Sequence, residues 1–137
     1  MAAPRAYSSD VAFSPSVKAV QTRKGSRNAY HHVEERGSWQ TRITPDLAAF
    51  IGEQMSIFLA TVNAEGQPYI QHRGGPAGFL RVLDDKTIGL VDFSGNRQYI
   101  TLGNLIDNPK AQLLLIDYAR RRRMALLHGC AEFPLAK

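Results

Sequence analysis

Between residues 57 and 118 the chain alternates short apolar runs with turn-forming residues, and this pattern constrains the fold more than any other feature. The first run, residues 57–62, has the length and β-branched content of a buried strand. Residues 63–66 separate it from residues 68–73 by a hairpin loop, with glycine where the backbone needs positive φ. Further strands are predicted over residues 79–83, 87–93, 111–118 and 124–133, and one short helix over residues 99–106. Short strands in hairpin order with one inserted helix favour a small antiparallel barrel.

The first 43 residues differ from the rest because they are polar and basic. We expect residues 1–43 to be an N-terminal helical extension and residues 44–137 to be the barrel domain. Ser14 followed by Pro15 is typical of a helix start, and Gly25 is typical of that helix's end. Thr44 followed by Pro45 and Asp46 predicts the start of another helix. Since the extension contains little apolar surface, we expect it to pack on the barrel or on a partner subunit. Its expected anchors are Phe13, Val17, Val20 and Trp39.

Composition indicates a single globular domain in the cytoplasm. The chain has 137 residues, of which 44% are hydrophobic, enough for an ordinary core. No apolar run approaches the roughly 20 residues that span a bilayer, and the first ten residues lack the apolar core of a secretory signal. The single cysteine, Cys130, excludes an internal disulfide and any multi-cysteine metal site.

The formal net charge of +5 is concentrated in the run Arg120-Arg121-Arg122-Arg123. Such a run is either a nucleic-acid patch or a solvated turn or subunit contact. No aromatic residues are interleaved with the arginines, as they are in many surfaces that bind single strands. The turn or subunit contact is therefore favoured, and a nucleic-acid partner is not expected.

Two polar clusters each place an arginine and small residues at the end of a β-run: QHRGG at residues 71–75 and SGNRQ at residues 94–98. Arginine offers a planar fork of donors, and glycine lets the backbone approach a ligand closely. The second cluster precedes the predicted helix, whose N-terminus attracts anions. This combination suits a phosphate-bearing ligand lying over a sheet. The alternatives are a plain helix cap at the second cluster and a flexible crossing at Gly74–Gly78, which lacks the spacing of a dinucleotide fingerprint or a P-loop.

No residue can be assigned as a catalytic acid or base. His31 and His32 are adjacent and point in different directions on a helix, while His72 and His128 have no metal ligand at suitable spacing. Asp84-Asp85 is interpreted as a turn, not an acid–base pair. A metal site is therefore not expected.

Taken together, the motifs resemble the pyridoxamine 5′-phosphate oxidase-like family of flavin-binding split barrels. The residues that carry the resemblance are FLATV at 58–62 with GQP at 66–68, QHRGGPAGFL at 71–80, DFSGNR at 92–97 and NLIDNP at 104–109. The resemblance covers residues 44–133 and implies a mainly β fold, a six-stranded antiparallel Greek-key split barrel with flanking helices. It also implies a homodimer with FMN in a groove at the subunit interface.

The resemblance further implies which residues bind the cofactor. They are Gln71, His72, Arg73, Gly74, Val91, Asp92, Phe93, Asn96, Arg97, Gln98 and Thr101. Two departures stand out: only Arg97 is basic where the oxidases have an Arg-Lys pair, and Met124 replaces a glutamine. The C-terminal substrate-binding segment of the oxidases is also absent, so we expect a C-terminally shortened barrel and do not expect pyridoxamine phosphate oxidation.

The resulting interpretation is an FMN-binding flavoprotein, an oxidoreductase acting on a small molecule of unknown identity. The alternative is a non-enzymatic module on the same dimeric barrel that binds flavin, deazaflavin or haem.

Overall fold

The computed structural model describes residues 4–91, 93 and 95–128. The chain divides into two compact units, Met1–Ile43 and Thr44–Lys137. Each unit is built from local signals that the sequence shows.

The N-terminal unit consists of a 3₁₀ turn, Ser8–Val11, and two helices, α1 (Pro15–Lys24) and α2 (Arg27–Glu35). As predicted, α1 begins where the hydroxyl of Ser14 accepts a hydrogen bond from the first-turn backbone. It ends at Gly25, which adopts a φ of 81°.

An aromatic cluster packs inside the N-terminal unit. The ring of Phe13 lies edge-on to the rings of Tyr30 and Trp39, with centroids 5.4 and 5.3 Å away. Phe13 and Trp39 therefore contact each other within the unit. Val17, Val20 and Trp39 are all exposed. Packing of this segment on the barrel stays a prediction.

Over its described residues, the second unit contains two helices and six strands. They are α3 (Pro45–Gly52), β1 (Ser56–Val62), β2 (Pro68–Gly74), β3 (Leu80–Asp84), β4 (Thr87–Leu90), α4 (Ile100–Asp107), β5 (Ala111–Asp117) and β6 (Arg122–His128). The predicted start of α3 is confirmed, because the Thr44 hydroxyl accepts a hydrogen bond from the Leu47 N–H and Pro45 follows. The β1–β2 turn has Gly66 at a φ of 88°, as expected.

The strands form two antiparallel sheets instead of one continuous barrel wall. In the part of the chain that the structure describes, four strands pair in the order β2-β1-β5-β6, and β3 pairs with β4 in a separate sheet. The expected six strands are present, but the barrel is not closed. Strand β2 lies at the edge of its sheet and begins with Pro68, a position that tolerates the missing N–H.

The core lies on one face of the four-stranded sheet. Strand β1 alternates strictly, with Ile57, Leu59 and Thr61 buried. Helix α4 packs against β1 on this face. The remaining buried apolar side chains are Phe50, Ile51, Phe79, Leu80, Leu105 and Leu115.

Two strand boundaries differ from the prediction. Strand β4 ends at Leu90, so Val91 and Phe93 lie beyond it instead of inside it. Strand β6 begins at Arg122 and is described as far as His128, while the rest of the predicted strand to residue 133 lies outside the described residues. Among the described residues, no helix has the length and apolar character needed to cross a membrane.

Candidate functional site

The first polar cluster lies on β2, where strand alternation divides its side chains between two faces. Gln71 pairs with Leu59 and Arg73 pairs with Ile57, so both side chains share the core-side face of β1. Tyr69 occupies the same face, opposite Thr61. These three partly buried side chains at alternate positions form a row that borders the second cluster.

His72 belongs to the opposite face of β2. Its Nε2 lies 2.7 Å from the hydroxyl of Ser56, and its ring lies edge-on to Phe58 with centroids 5.5 Å apart. The imidazole is thus engaged by two β1 side chains on the far side of the sheet from Gln71 and Arg73.

The second polar cluster forms a tight loop before α4. Gly95, Arg97 and Tyr99 all have positive φ, at 49°, 61° and 55°. The Asn96 side-chain oxygen accepts a hydrogen bond of 3.2 Å from the Gln98 N–H. Left-handed backbone at non-glycine residues costs on the order of 1 kcal/mol each and is concentrated at functional sites.

The loop ends at Tyr99, the N-cap of α4, whose side chain does not cap the helix. The first-turn N–H groups of α4 are therefore not satisfied by a capping side chain. Groups of this kind attract anions.

The two clusters, separated by residues 76–93 in the sequence, line adjoining pockets that share four residues: Gln71, Arg73, Phe93 and Gly95. We call these two pockets together the groove. Gly74, Phe79 and Val91 line one end, and Asn96, Arg97 and Thr101 line the other. Of the residues that the resemblance implied, all line the groove except Asp92, which lies outside the described residues. His72 lines it as part of β2, although its side chain belongs to the opposite face of that strand.

The groove has an apolar end and a basic end. The apolar end is formed by Phe79, which is buried, and by Val91 and Phe93, which are exposed. The basic end combines Arg97 with the first turn of α4, and Arg73 lines both ends. Such an arrangement can hold a flat apolar ring system that carries an anionic group at one end.

The family model for pyridoxamine 5′-phosphate oxidase matches residues 43–133. The chain belongs to the pyridoxamine 5′-phosphate oxidase-like family. The residues that line the groove lie between Tyr69 and Leu102 and all fall inside the match.

Two solved structures are similar to the chain, and both are HupZ from Group A Streptococcus, one of them a histidine-to-alanine variant. Each is 29% identical with a TM-score of 0.48, over 62% of this chain. The chain spans 65% of the variant structure and 62% of the other. A search of curated proteins found no significant match.

Within this family member, the glycine-rich crossing has a packing role. A Cβ added to Gly75 would lie 2.8 Å from the ring of Phe79 and 3.1 Å from that of Phe93. Only glycine lets the backbone pass so close to these two rings. The crossing thus shapes the apolar end of the groove.

Tyr69, Phe79, Tyr99, Ile100 and Leu102 also line the groove and were not singled out from sequence. Tyr69 could have been found by continuing the alternation from Arg73 and Gln71. Phe79 had no such signal, because its approach to Gly75 depends on how the crossing folds.

Two hydroxyl–amide hydrogen bonds join α4 to the sheet. The Thr101 hydroxyl donates to Oε1 of Gln71 at 3.0 Å, and Nδ2 of Asn104 donates to the Thr61 hydroxyl at 3.0 Å. Thr61 and Thr101 are buried, so both bonds form away from bulk water. They hold α4 against the four-stranded sheet.

The arginine run lies in the β5–β6 turn and the start of β6. Arg120 pairs with Glu53 at 2.6 Å, and the guanidinium of Arg122 lies over the ring of Phe50. Two of the four arginines therefore contact α3 or the residue after it, which supports the turn interpretation over a nucleic-acid patch. Across residues 4–91, 93 and 95–128, no three His, Cys, Asp or Glu side chains are arranged to hold a metal ion.

Proposed function

We propose that the chain binds FMN in the groove, with the flavin ring at the apolar end and the phosphate at the basic end. One observation carries this proposal. Gln71 and Arg73 on β2 line the same groove as Asn96 and Arg97 in the loop before α4. Two clusters that each suited a phosphate-bearing ligand in sequence are thus brought together by the fold.

The apolar end supports a planar ring. Phe79 forms a buried floor, and Phe93 and Val91 present exposed apolar surface beside it. Aromatic side chains pack on flat ring systems through stacked or edge-on contacts. Because Gly75 has no side chain, Phe79 and Phe93 can both approach the crossing.

The basic end supports a phosphate. Charge-assisted hydrogen bonds contribute roughly 1.5–3 kcal/mol each, and Arg73 and Arg97 can each provide them. The uncapped first turn of α4 adds backbone donors and the positive end of the helix dipole. Arg97, with its left-handed backbone, is held in the loop instead of extending from a strand.

The proposal includes a homodimer. Strand β5 directs Leu115 into the core, whereas Leu114 and Ile116 belong to the opposite face of the sheet. On that face Ile70 is 63% exposed. A second copy of the chain would cover this apolar surface and extend the walls of the groove.

FMN, when bound, would supply the redox chemistry, and the described residues would bind and orient it. The proposed activity is therefore that of an oxidoreductase with a small-molecule substrate of unknown identity. The competing function is a binding module for flavin, deazaflavin or haem on the same fold.

Absorbance spectroscopy of the purified protein tests the proposal. We expect flavin absorbance, bleached by a chemical reductant and restored by air, and release of FMN on denaturation. Titration of the cofactor-free protein should show tighter binding of FMN than of riboflavin, which lacks the phosphate.

Each other outcome has a defined meaning. A colourless protein that ignores added FMN would overturn the proposal. Equal affinity for FMN and riboflavin would show that the basic end does not bind the phosphate. Release of haem or a deazaflavin would support the binding-module function. Flavin binding without turnover of any electron donor would indicate that the protein is a flavin carrier and not an enzyme.

A further inference from the structure

The two hydroxyl–amide bonds between α4 and the sheet differ in direction and in place. The Thr101 hydroxyl donates its bond, whereas the Thr61 hydroxyl accepts its bond. Gln71 and Thr101 line the groove, whereas Thr61 and Asn104 do not. Both bonds measure 3.0 Å, and both involve a buried threonine. A hydrogen bond between a threonine hydroxyl and a side-chain amide thus occurs at the groove, through Thr101. A second such bond occurs outside the groove, through Asn104, one turn further along α4.

The contact at the groove determines how the Gln71 amide is oriented. A terminal amide has an acceptor oxygen on one branch and a two-proton donor nitrogen on the other. Because the Thr101 hydroxyl donates to Oε1, that oxygen is directed towards α4. The Nε2 branch is then directed away from α4, and the side chain that carries it forms part of the wall shared by both pockets.

We propose that Thr101 is a positioning residue that orients the Gln71 amide, so that its N–H donors face the groove and bind an acceptor atom of the ligand. The inference rests on the proposed function for the identity of that ligand, which is FMN. It assigns Gln71 a donor role towards a carbonyl or ring-nitrogen acceptor of the flavin.

The structure also argues against a direct phosphate contact by the Thr101 hydroxyl. Thr101 is only 5% exposed, and its hydroxyl proton is already donated to Gln71. A threonine can donate only one proton, so the hydroxyl has none left for a phosphate oxygen. Its backbone N–H, in the first turn of α4, is unaffected by this argument.

The test combines four substitutions in the full chain, with FMN as the probe. Thr101→Val removes the hydroxyl at nearly constant shape, and Thr101→Ser retains it. Gln71→Leu removes the amide, and the double variant with Thr101→Val completes a thermodynamic cycle. Thr61→Val is the matched control, because it breaks the equivalent bond to Asn104 outside the groove.

We expect Thr101→Val to weaken FMN binding about five- to tenfold, the value of a buried hydrogen bond, and to shift the flavin absorbance bands. Thr101→Ser should restore both. In the Gln71→Leu background, Thr101→Val should have little further effect, because the group it orients is gone. Thr61→Val should lower thermal stability without changing the affinity or the spectrum of bound FMN.

Equal loss of FMN affinity in Thr61→Val and Thr101→Val would overturn the inference, since both bonds would then act only through stability. So would additive effects of Thr101→Val and Gln71→Leu. If the wild-type chain fails to bind FMN, the proposed function fails, and nuclear magnetic resonance of the cofactor-free protein decides the inference. The Gln71 side-chain amide resonances should then move in Thr101→Val and stay in place in Thr61→Val, and unmoved resonances in both variants would overturn it.

Discussion

The guanidinium of Arg122 lies 4.8 Å from the centre of the Phe50 ring, which joins the start of β6 to the buried face of α3. Cation–π contacts of exposed cations contribute about 0.5–1 kcal/mol, and the arginine stem adds apolar cover. We therefore expect Arg122→Ala to lower the free energy of unfolding by about 1 kcal/mol. Chemical denaturation monitored by circular dichroism measures this change.

The neighbouring arginine supplies the control. Arg121 lies at the turn with a positive φ of 53°, so Arg121→Gly should be neutral or slightly stabilising. If the run were a nucleic-acid patch instead, Arg122→Ala and Arg121→Gly would weaken retention of a nucleic-acid probe to a similar degree. The difference in stability between the two variants would not test that alternative.

A second prediction concerns the close approach at Gly75. Gly75→Ala would place a methyl group 2.8 Å from the buried ring of Phe79, so the ring or the crossing must move. Overpacking of this kind costs typically about 1–3 kcal/mol. We expect a loss of stability in that range together with weaker FMN binding, measured by denaturation and by titration.

Gly103→Ala is the matched substitution for Gly75→Ala. Gly103 lies inside α4, and a Cβ there would meet nothing within 4 Å. Alanine is favoured over glycine in a helix by roughly 0.5–1 kcal/mol, so Gly103→Ala should stabilise the protein. A harmless Gly75→Ala would mean that the apolar end of the groove does not depend on that close approach.

Local signals in the sequence were sufficient to predict the starts of α1 and α3 and the first hairpin. Ser14 and Thr44 each cap a helix that begins with proline, and the φ of 88° at Gly66 allows the β1–β2 turn. These features depend on interactions within about four residues. They were therefore readable from spacing and residue type alone.

Pairing between distant strands was not readable in the same way. Apolar content predicted β4 through residue 93, but the chain leaves the strand after Leu90 and turns towards the groove. The separation of β3 and β4 from the four-stranded sheet likewise depends on tertiary packing. Family resemblance located the groove residues, but only the structure shows that Thr101 bonds to Gln71, 30 positions away.

A third prediction tests the basic end of the groove. Arg97→Glu should weaken FMN binding by about tenfold or more, because it removes a charge-assisted contact and adds a repulsive charge. The fold should remain intact, since Arg97 is exposed in a loop. Titration with FMN and with riboflavin measures the effect, and only FMN should lose affinity.

Arg81→Glu provides the control for net charge. Arg81 is exposed on β3 and does not line the groove, yet its substitution changes the formal charge by the same amount. Similar losses of FMN affinity in Arg81→Glu and Arg97→Glu would indicate a diffuse electrostatic effect. Unchanged FMN affinity in Arg97→Glu would show that Arg97 does not contact the phosphate.

A fourth prediction concerns the homodimer. Ile70 is 63% exposed on the face of the sheet opposite the core, and a charge there would oppose burial against a second copy. Ile70→Glu should shift the mass measured by light scattering at micromolar concentration from dimer towards monomer. Ile106→Glu, at a 77% exposed position on α4, should leave the dimer intact. A monomeric wild-type chain would contradict the proposal directly.

The last prediction is an acid transition in the N-terminal unit, centred on Glu34. The side chain of Glu34 is fully buried beside Arg27, with Lys18 at 3.7 Å and Nδ1 of His31 at 3.3 Å. Burial acts to raise the pKa of Glu34, but Arg27, His31 and Lys18 outweigh it and hold the pKa below the ordinary value of 4.5. Asp10 behaves similarly, because the hydrogen bond from Lys18 holds its pKa below 3.8.

A carboxyl whose pKa is lower in the folded state stabilises that state at pH values above its unfolded pKa. This contribution is lost as the pH falls from about 4.5 through the folded pKa, so the unit should unfold in acid. Trp39 is the single tryptophan and packs on Phe13 in this unit, so its fluorescence reports the transition. Glu34→Gln should lower stability at neutral pH and flatten the acid transition, because Arg27 loses its anionic partner. Glu35→Gln, at an exposed neighbouring glutamate, should leave the Trp39 transition close to wild type, and an equal effect of both substitutions would rule out the buried cluster as its origin.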